Sequence, residues 1–140
     1  MKKMFALLLV LGTISAFADC TEELRKGEAL YNKARTSEVS SREYFTEAEK
    51  LASKDPRLCN ILQNALLEAN NANQSYFLSE VAYTKGIGIC SVEMQERNSQ
   101  IASKNSAVAM AGKERSSLII ELAFQEINQL GCQTKDGKTK

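Results

Sequence analysis

Cys20, Cys59, Cys90 and Cys132 stand far apart along 140 residues, and what they bond to decides what the chain folds into. An even number of cysteines in an exported chain favours two disulfides, and four allow three pairings. Zinc is the competing use, but structural zinc sites bring ligands in close pairs such as C-x-x-C and often recruit histidine. This chain has no close cysteine pair and no histidine, so the expectation is a disulfide framework with no metal and no cofactor.

Export is read from the first eighteen residues. Lys2 and Lys3 precede an apolar run from Phe5 to Leu11, and Ala16-Phe17-Ala18 places small residues at the −3 and −1 positions of a cleavage site. Charge, apolar run and A-x-A in that order form a secretory signal peptide, with cleavage expected after Ala18. The run is too short for a membrane anchor, which needs about 20 apolar residues. A lipid on Cys20 is the alternative end-point, but bacterial lipoproteins place a small residue directly before the cysteine, and here Asp19 stands there. The short dilysine start and compact apolar core look bacterial, so the periplasm or secretion is the expected destination. The expected organisation is a signal peptide over 1–18, one helical domain over 19–134 and a flexible basic tail over 135–140.

Without Lys2 and Lys3 the chain carries 16 basic against 17 acidic residues, a net charge of −1. No strong field draws it to nucleic acid, and no second apolar span follows the leader. Self-association is left open by the Ala- and Ser-rich stretch from Asn98 to Ser117.

Apolar periodicity is helical throughout. Helix A is expected over Thr21–Ala34, with Leu24, Leu30, Tyr31 and Ala34 on one side. Ser40-Ser41-Arg42-Glu43 reads as a capping box that starts helix B, whose stripe is Tyr44, Phe45, Ala48, Leu51 and Ala52. Asp55-Pro56 ends B and starts C, with Asp55 as cap and Pro56 at the first helical position. Leu58, Cys59, Leu62, Leu66 and Ala69 lie on one face of C. Asn70-Asn71-Ala72-Asn73 weakens that helix, so the chain either turns there or continues to about Thr84, and Gly86-Ile87-Gly88 reads as a break. From Ser91 to Leu130 no proline intervenes, and Gly131 reads as a C-cap. Two forms compete for this last stretch: one helix of about 40 residues, roughly 60 Å long, or a hairpin turning between Ser103 and Gly112. The fold class is all-α, an antiparallel helical bundle or stacked helical hairpins stabilised by disulfides.

The pairing of cysteines depends on the number of helices. If A, B and C are short antiparallel neighbours, Cys20 at the start of A returns close to Cys59 at the start of C. A hairpin in the last stretch then joins Cys90 to Cys132, whereas a straight helix holds them tens of ångströms apart. Cys20–Cys59 with Cys90–Cys132 is the favoured arrangement.

Catalytic motifs are lacking. Without histidine there is no Ser-His-Asp or Cys-His site. Ser53-Lys54 and Ser103-Lys104 are adjacent residues that do not face each other on a helix, Glu47 with Glu49 and Glu93 with Glu96 fit a solvated helix face, and Gly86-Ile87-Gly88 lacks the lysine of a phosphate loop. Tyr44, Phe45, Tyr76 and Phe77 are the candidate lining of a ligand groove, although stripes at helical spacing are more often core. Gly27, Leu30, Tyr31 and Ala34, followed by Tyr44-Phe45-x-x-Ala48-x-x-Leu51 and Asp55-Pro56, resemble a tetratricopeptide-type helical hairpin over about residues 24–56. That resemblance implies a hairpin used for protein contacts. The expected function is a non-enzymatic exported protein that binds another protein or an envelope component. The alternative is a carrier of small hydrophobic ligands with a cavity between helices.

Overall fold

The computed structural model describes residues 19–132; the leader over 1–18 and the basic tail over 135–140 lie outside the described residues. Three helices follow one another: α1 (Cys20–Ala48), α2 (Leu58–Val92) and α3 (Glu96–Gln129). They run antiparallel. The middle helix packs along both others, while α1 and α3 touch each other only sparsely. The fold is therefore an all-α bundle, with α2 flanked by two outer helices.

A seven-residue repeat of small side chains explains this close packing. Cys20, Gly27, Ala34, Ser41 and Ala48 are buried on α1; Ala65, Ala72, Ser79 and Gly86 on α2; Ala102, Ala109, Ser116 and Ala123 on α3. A strict seven-residue spacing keeps one seam facing its neighbour along the whole helix. Small residues there let hydroxyls reach the neighbouring backbone. Ser41 Oγ donates to Ala65 O at 2.7 Å and Ser79 Oγ to Gly27 O at 2.7 Å. Both bonds satisfy a buried hydroxyl, which would be costly to leave unpaired. The larger apolar residues gather at one end, where Ala48, Leu58, Ile61, Leu62 and Ile127 form a cluster.

Several expected boundaries move. Helices A and B are one helix, so Gly27–Ala34 and Tyr44–Ala48, the segments that resemble a two-helix hairpin, share α1. No glycine or proline separates Ala34 from Ser40, and the Ser41 hydroxyl of the expected capping box bonds across to α2 instead. Thr36 and Thr46 donate back to the carbonyls of Asn32 and Arg42, four residues earlier, as mid-helix hydroxyls do. In α2 the asparagines do not end the helix, because their amides are used elsewhere. Asn70 donates to Leu66 O at 2.9 Å, and Asn73 reaches across to Lys113 O and Ser117 Oγ at 3.0 and 2.9 Å. Gly86 stays helical and buried, its missing side chain facing Glu23 and Ala102 of the outer helices. Leu58 rather than Pro56 opens α2, and the Asp55 carboxylate accepts the N–H of Arg57 at 2.9 Å.

The turn that does occur, at Glu93–Gln95, carries no glycine or proline. Met94 takes the left-handed conformation (φ 55°), and the Gln95 N–H closes on Cys90 O at 2.8 Å. The same closure ends α3, where Gly131 (φ 65°) lets the Cys132 N–H reach Ile127 O at 3.0 Å, as the expected glycine C-cap requires. The expected hairpin between Ser103 and Gly112 is absent; α3 is a single helix of 34 residues.

The cysteine pairing follows from that helix count and corrects the favoured one. The bonds are Cys20–Cys90 and Cys59–Cys132. Merging A with B moves Cys59 to the opposite end of the molecule from Cys20. Cys20, at the start of α1, then meets the end of α2, and Cys59, at the start of α2, meets the end of α3. Each bond spans about the same length of chain, with sequence separations of 70 and 73. In the chain-entropy model each stabilises the fold by roughly 4 kcal/mol.

Candidate functional site

Because α1 and α3 scarcely meet, a valley runs between them with α2 as its floor. Its centre is closed by a polar bridge. Glu38 of α1 is buried, its side chain only 8% exposed, and both of its oxygens are occupied. Oε1 accepts from Arg42 Nη2 (2.7 Å) and Arg115 Nε (3.1 Å); Oε2 accepts from Tyr76 Oη (2.5 Å) and Arg115 Nη2 (3.3 Å). One carboxylate thus ties all three helices together. Burial pushes the Glu38 carboxyl upward, but the hydrogen bonds from Arg115 and Tyr76 and the charges of Arg115 and Arg42 outweigh it and hold the group below its ordinary value of 4.5. The Tyr76 hydroxyl is pushed well above its ordinary value by burial and by the bond to Glu38.

Tyr76 is wholly buried and stacks edge-on against Tyr31, with ring centroids 5.5 Å apart. Its ring lies directly on the backbone of α3 at Gly112. A Cβ there would stand 2.5–2.7 Å from three ring atoms. Tyr83 lies on Gly27 of α1 in the same way, with 2.7–2.9 Å to a Cβ. The two glycines are what allow large rings on the floor of so narrow a valley.

On one side of the bridge, Arg35, Arg42 and Arg115 rim a concavity of about 450 Å³ over Glu38, with Tyr31 and Val39 in its wall. Arg42 and Arg115 are oriented by Glu38. Arg35 is exposed and has no ion-pair partner among the described residues. Further along the valley, toward the Cys59–Cys132 staple, lies an apolar cleft of about 390 Å³. Phe45, Leu51, Leu58, Leu62, Leu122 and Leu130 line it, and Glu49, Glu126 and Ser53 stand at its edge. It is open to solvent, and Leu122 in its wall is 55% exposed. A smaller depression of about 230 Å³, lined by Glu28, Tyr31, Asn32, Tyr83, Asn105 and Val108, lies on the other side of the arginines.

The four expected groove aromatics do not converge. Phe45 lines the apolar cleft, and Tyr44 packs beside it against the apolar cluster. Tyr76 is fourteen residues beyond Leu62 on α2, about 21 Å along the helix, and is used up in the central bridge. Phe77 points away, half exposed, with Lys113 Nζ 5.7 Å from its ring centroid. Leu67, Leu78 and Val81 are also exposed, on the outer side of α2. The leucines that build the cleft had been visible only as helix stripes. The arginine group was not read from the sequence: Arg35 and Arg42 share one helix only because α1 runs unbroken from Cys20 to Ala48, and nothing local points to Arg115. Ser53, Lys54, Ser103, Lys104, Glu47, Glu49, Glu93 and Glu96 are all exposed.

Among the described residues no group of histidine, cysteine or acidic side chains is placed to hold a metal ion, and no helix is long and apolar enough to cross a membrane. Both disulfides belong to the chemistry of an oxidising compartment.

No protein-family model, curated protein or solved structure matches this chain.

Proposed function

We propose that this is an exported, non-enzymatic protein that binds a component of the cell envelope by holding an apolar part of it in the cleft of Phe45, Leu58, Leu62 and Leu122. The observation that carries this reading is the cleft itself. It is a concave, leucine-lined site on rigid elements, held next to a disulfide at the junction of all three helices. Apolar concavities with a few polar groups at the edge are the usual form of binding sites. The carrier reading has less support. A carried small molecule is typically 70–90% enclosed, whereas this cleft is open to solvent beside the 55% exposed Leu122 and suits one end of a larger component.

An apolar environment-sensitive dye such as N-phenylnaphthylamine tests the reading. Wild-type protein should enhance its fluorescence. Leu122→Asp, at a position 55% exposed and therefore tolerant of charge, should abolish the enhancement. Leu67→Asp, on the outer side of α2, should leave it intact. Loss of enhancement in Leu67→Asp with retention in Leu122→Asp would place binding on the wrong face and end this proposal.

A further inference from the structure

We infer that the valley takes a single-chain anionic amphiphile, its acidic head on Arg35, Arg42 and Arg115 and its alkyl chain in the apolar cleft. This rests on the reading of the cleft as a binding site and adds to it the chemistry of the ligand.

The arginine concavity and the cleft share no lining residue, but helical spacing sets them in line along α1 and α3. On α1, Arg35, Arg42 and Glu49 follow at seven-residue spacing, with Phe45 one turn beyond Arg42. On α3, Leu122 follows Arg115 by seven residues, which puts the two about 10 Å apart along one face. Three guanidiniums surround the concavity and a single carboxylate, Glu38, lies beneath them. That carboxylate is saturated by four donors and fixes two of the guanidiniums in place. The concavity therefore keeps a surplus of two positive charges. Arg35 has no ion-pair partner among the described residues, and Arg42 uses only one of its donors on Glu38. Guanidinium groups bind phosphate and carboxylate through paired N–H donors, so a tetrahedral or planar acidic head is the group that fits.

The remaining charges set a direction. Glu49 and Glu126 stand along the cleft, on the side away from the arginines, and Glu28 lies beyond the arginines in the opposite direction. An acidic head is repelled by Glu28 on one side of the arginines and by Glu49 and Glu126 along the cleft, and is attracted between them, while the chain finds leucines only toward the Cys59–Cys132 staple. A neutral or cationic amphiphile has no such preference for the arginines.

Calorimetric titration of the oxidised protein with a matched series, below micelle-forming concentrations, tests this. The probes are dodecyl phosphate, dodecanoate, dodecyl maltoside and inorganic phosphate. Both acidic amphiphiles should bind one to one, at least about tenfold more tightly than dodecyl maltoside, with inorganic phosphate weaker than either. Preference for dodecyl phosphate marks a lipid phosphate as the natural head, and preference for dodecanoate a fatty acid. Arg35→Glu should weaken the acidic pair by about tenfold and leave dodecyl maltoside and the melting temperature unchanged. Equal binding of neutral and acidic heads, or no effect of Arg35→Glu, would overturn the head-group assignment while the cleft stands. If no amphiphile binds while the dye still reports the cleft, the amphiphile inference falls; absence of dye binding as well removes the cleft reading with it.

Discussion

Replacing Gly112 with alanine adds one methyl group at the most crowded place in the molecule. Glycine to alanine inside a helix ordinarily stabilises by about 0.8–1 kcal/mol. Here the new Cβ would lie 2.5–2.7 Å from Cε1, Cζ and Cδ1 of Tyr76, where carbon atoms prefer about 3.5–4.0 Å. Relief requires a shift of the ring or of α3 by about 1 Å. The ring is wholly buried and its hydroxyl is held by Glu38 at 2.5 Å, so it has little room to move. Overpacking of this kind costs about 1–3 kcal/mol, and stretching a hydrogen bond to a charged acceptor puts a further 1.5–3 kcal/mol or so at stake. Set against the helix gain, Gly112→Ala should destabilise by about 1.5–5 kcal/mol. Gly88→Ala is the control. Nothing lies within 4 Å of a Cβ at that position, so the same change should stabilise by about 0.5–1 kcal/mol. Urea unfolding of the two variants under oxidising conditions reads both signs. A Gly112→Ala protein as stable as the wild type would refute the packing of Tyr76 on the α3 backbone.

The same close approach makes Gly27→Ala destabilising, by about 1–3 kcal/mol before the helix gain is counted, because its Cβ meets the Tyr83 ring; thermal unfolding checks it. Glu38→Gln should cost about 1.5–3 kcal/mol, since it leaves Arg42 and Arg115 without their shared counter-charge. Glu38 titrates below its ordinary value of 4.5 in the folded state, so its charge contributes stability that is present above about pH 4.5 and lost as pH falls through the lower folded value. Unfolding curves from pH 7 to pH 3 should show a shallower acid limb in Glu38→Gln than in the wild type; parallel limbs would contradict the bridge. A non-reducing peptide map should join Cys20 to Cys90 and Cys59 to Cys132, and any Cys90–Cys132 peptide would require α3 to fold back on itself.

Much of the scaffold could be read from the residues. The helical periodicity, the disulfide framework and the glycine cap at Gly131 are local signals, and they hold in the structure. Boundaries were misread where a polar side chain had two possible uses. Ser40-Ser41-Arg42-Glu43 has the spacing of a helix start, and Asn70-Asn71-Ala72-Asn73 left a turn and a continuing helix equally open. At Ser41 and Asn73 the side chain bonds to a neighbouring helix, a partner that no local pattern reveals. The reverse error occurred at Glu93–Gln95, where the chain turns through Met94 without a residue that favours the left-handed region. One miscounted helix was enough to exchange the disulfide partners. The valley was less legible, because it consists of contacts between helices. Glu38, Tyr76 and Arg115 are separated by 38 and 77 residues from Glu38 outward, and only the antiparallel packing brings them together.

Methyl-resolved NMR of the oxidised protein during titration with dodecyl phosphate tests the central claim most directly. Leucine methyls report on both faces at once. The account predicts that Leu58, Leu62, Leu122 and Leu130, which line the valley, shift progressively, while Leu67 and Leu78 on the outer side of α2 stay in place. Shifts confined to Leu67 and Leu78, or an unmoved spectrum, would contradict it.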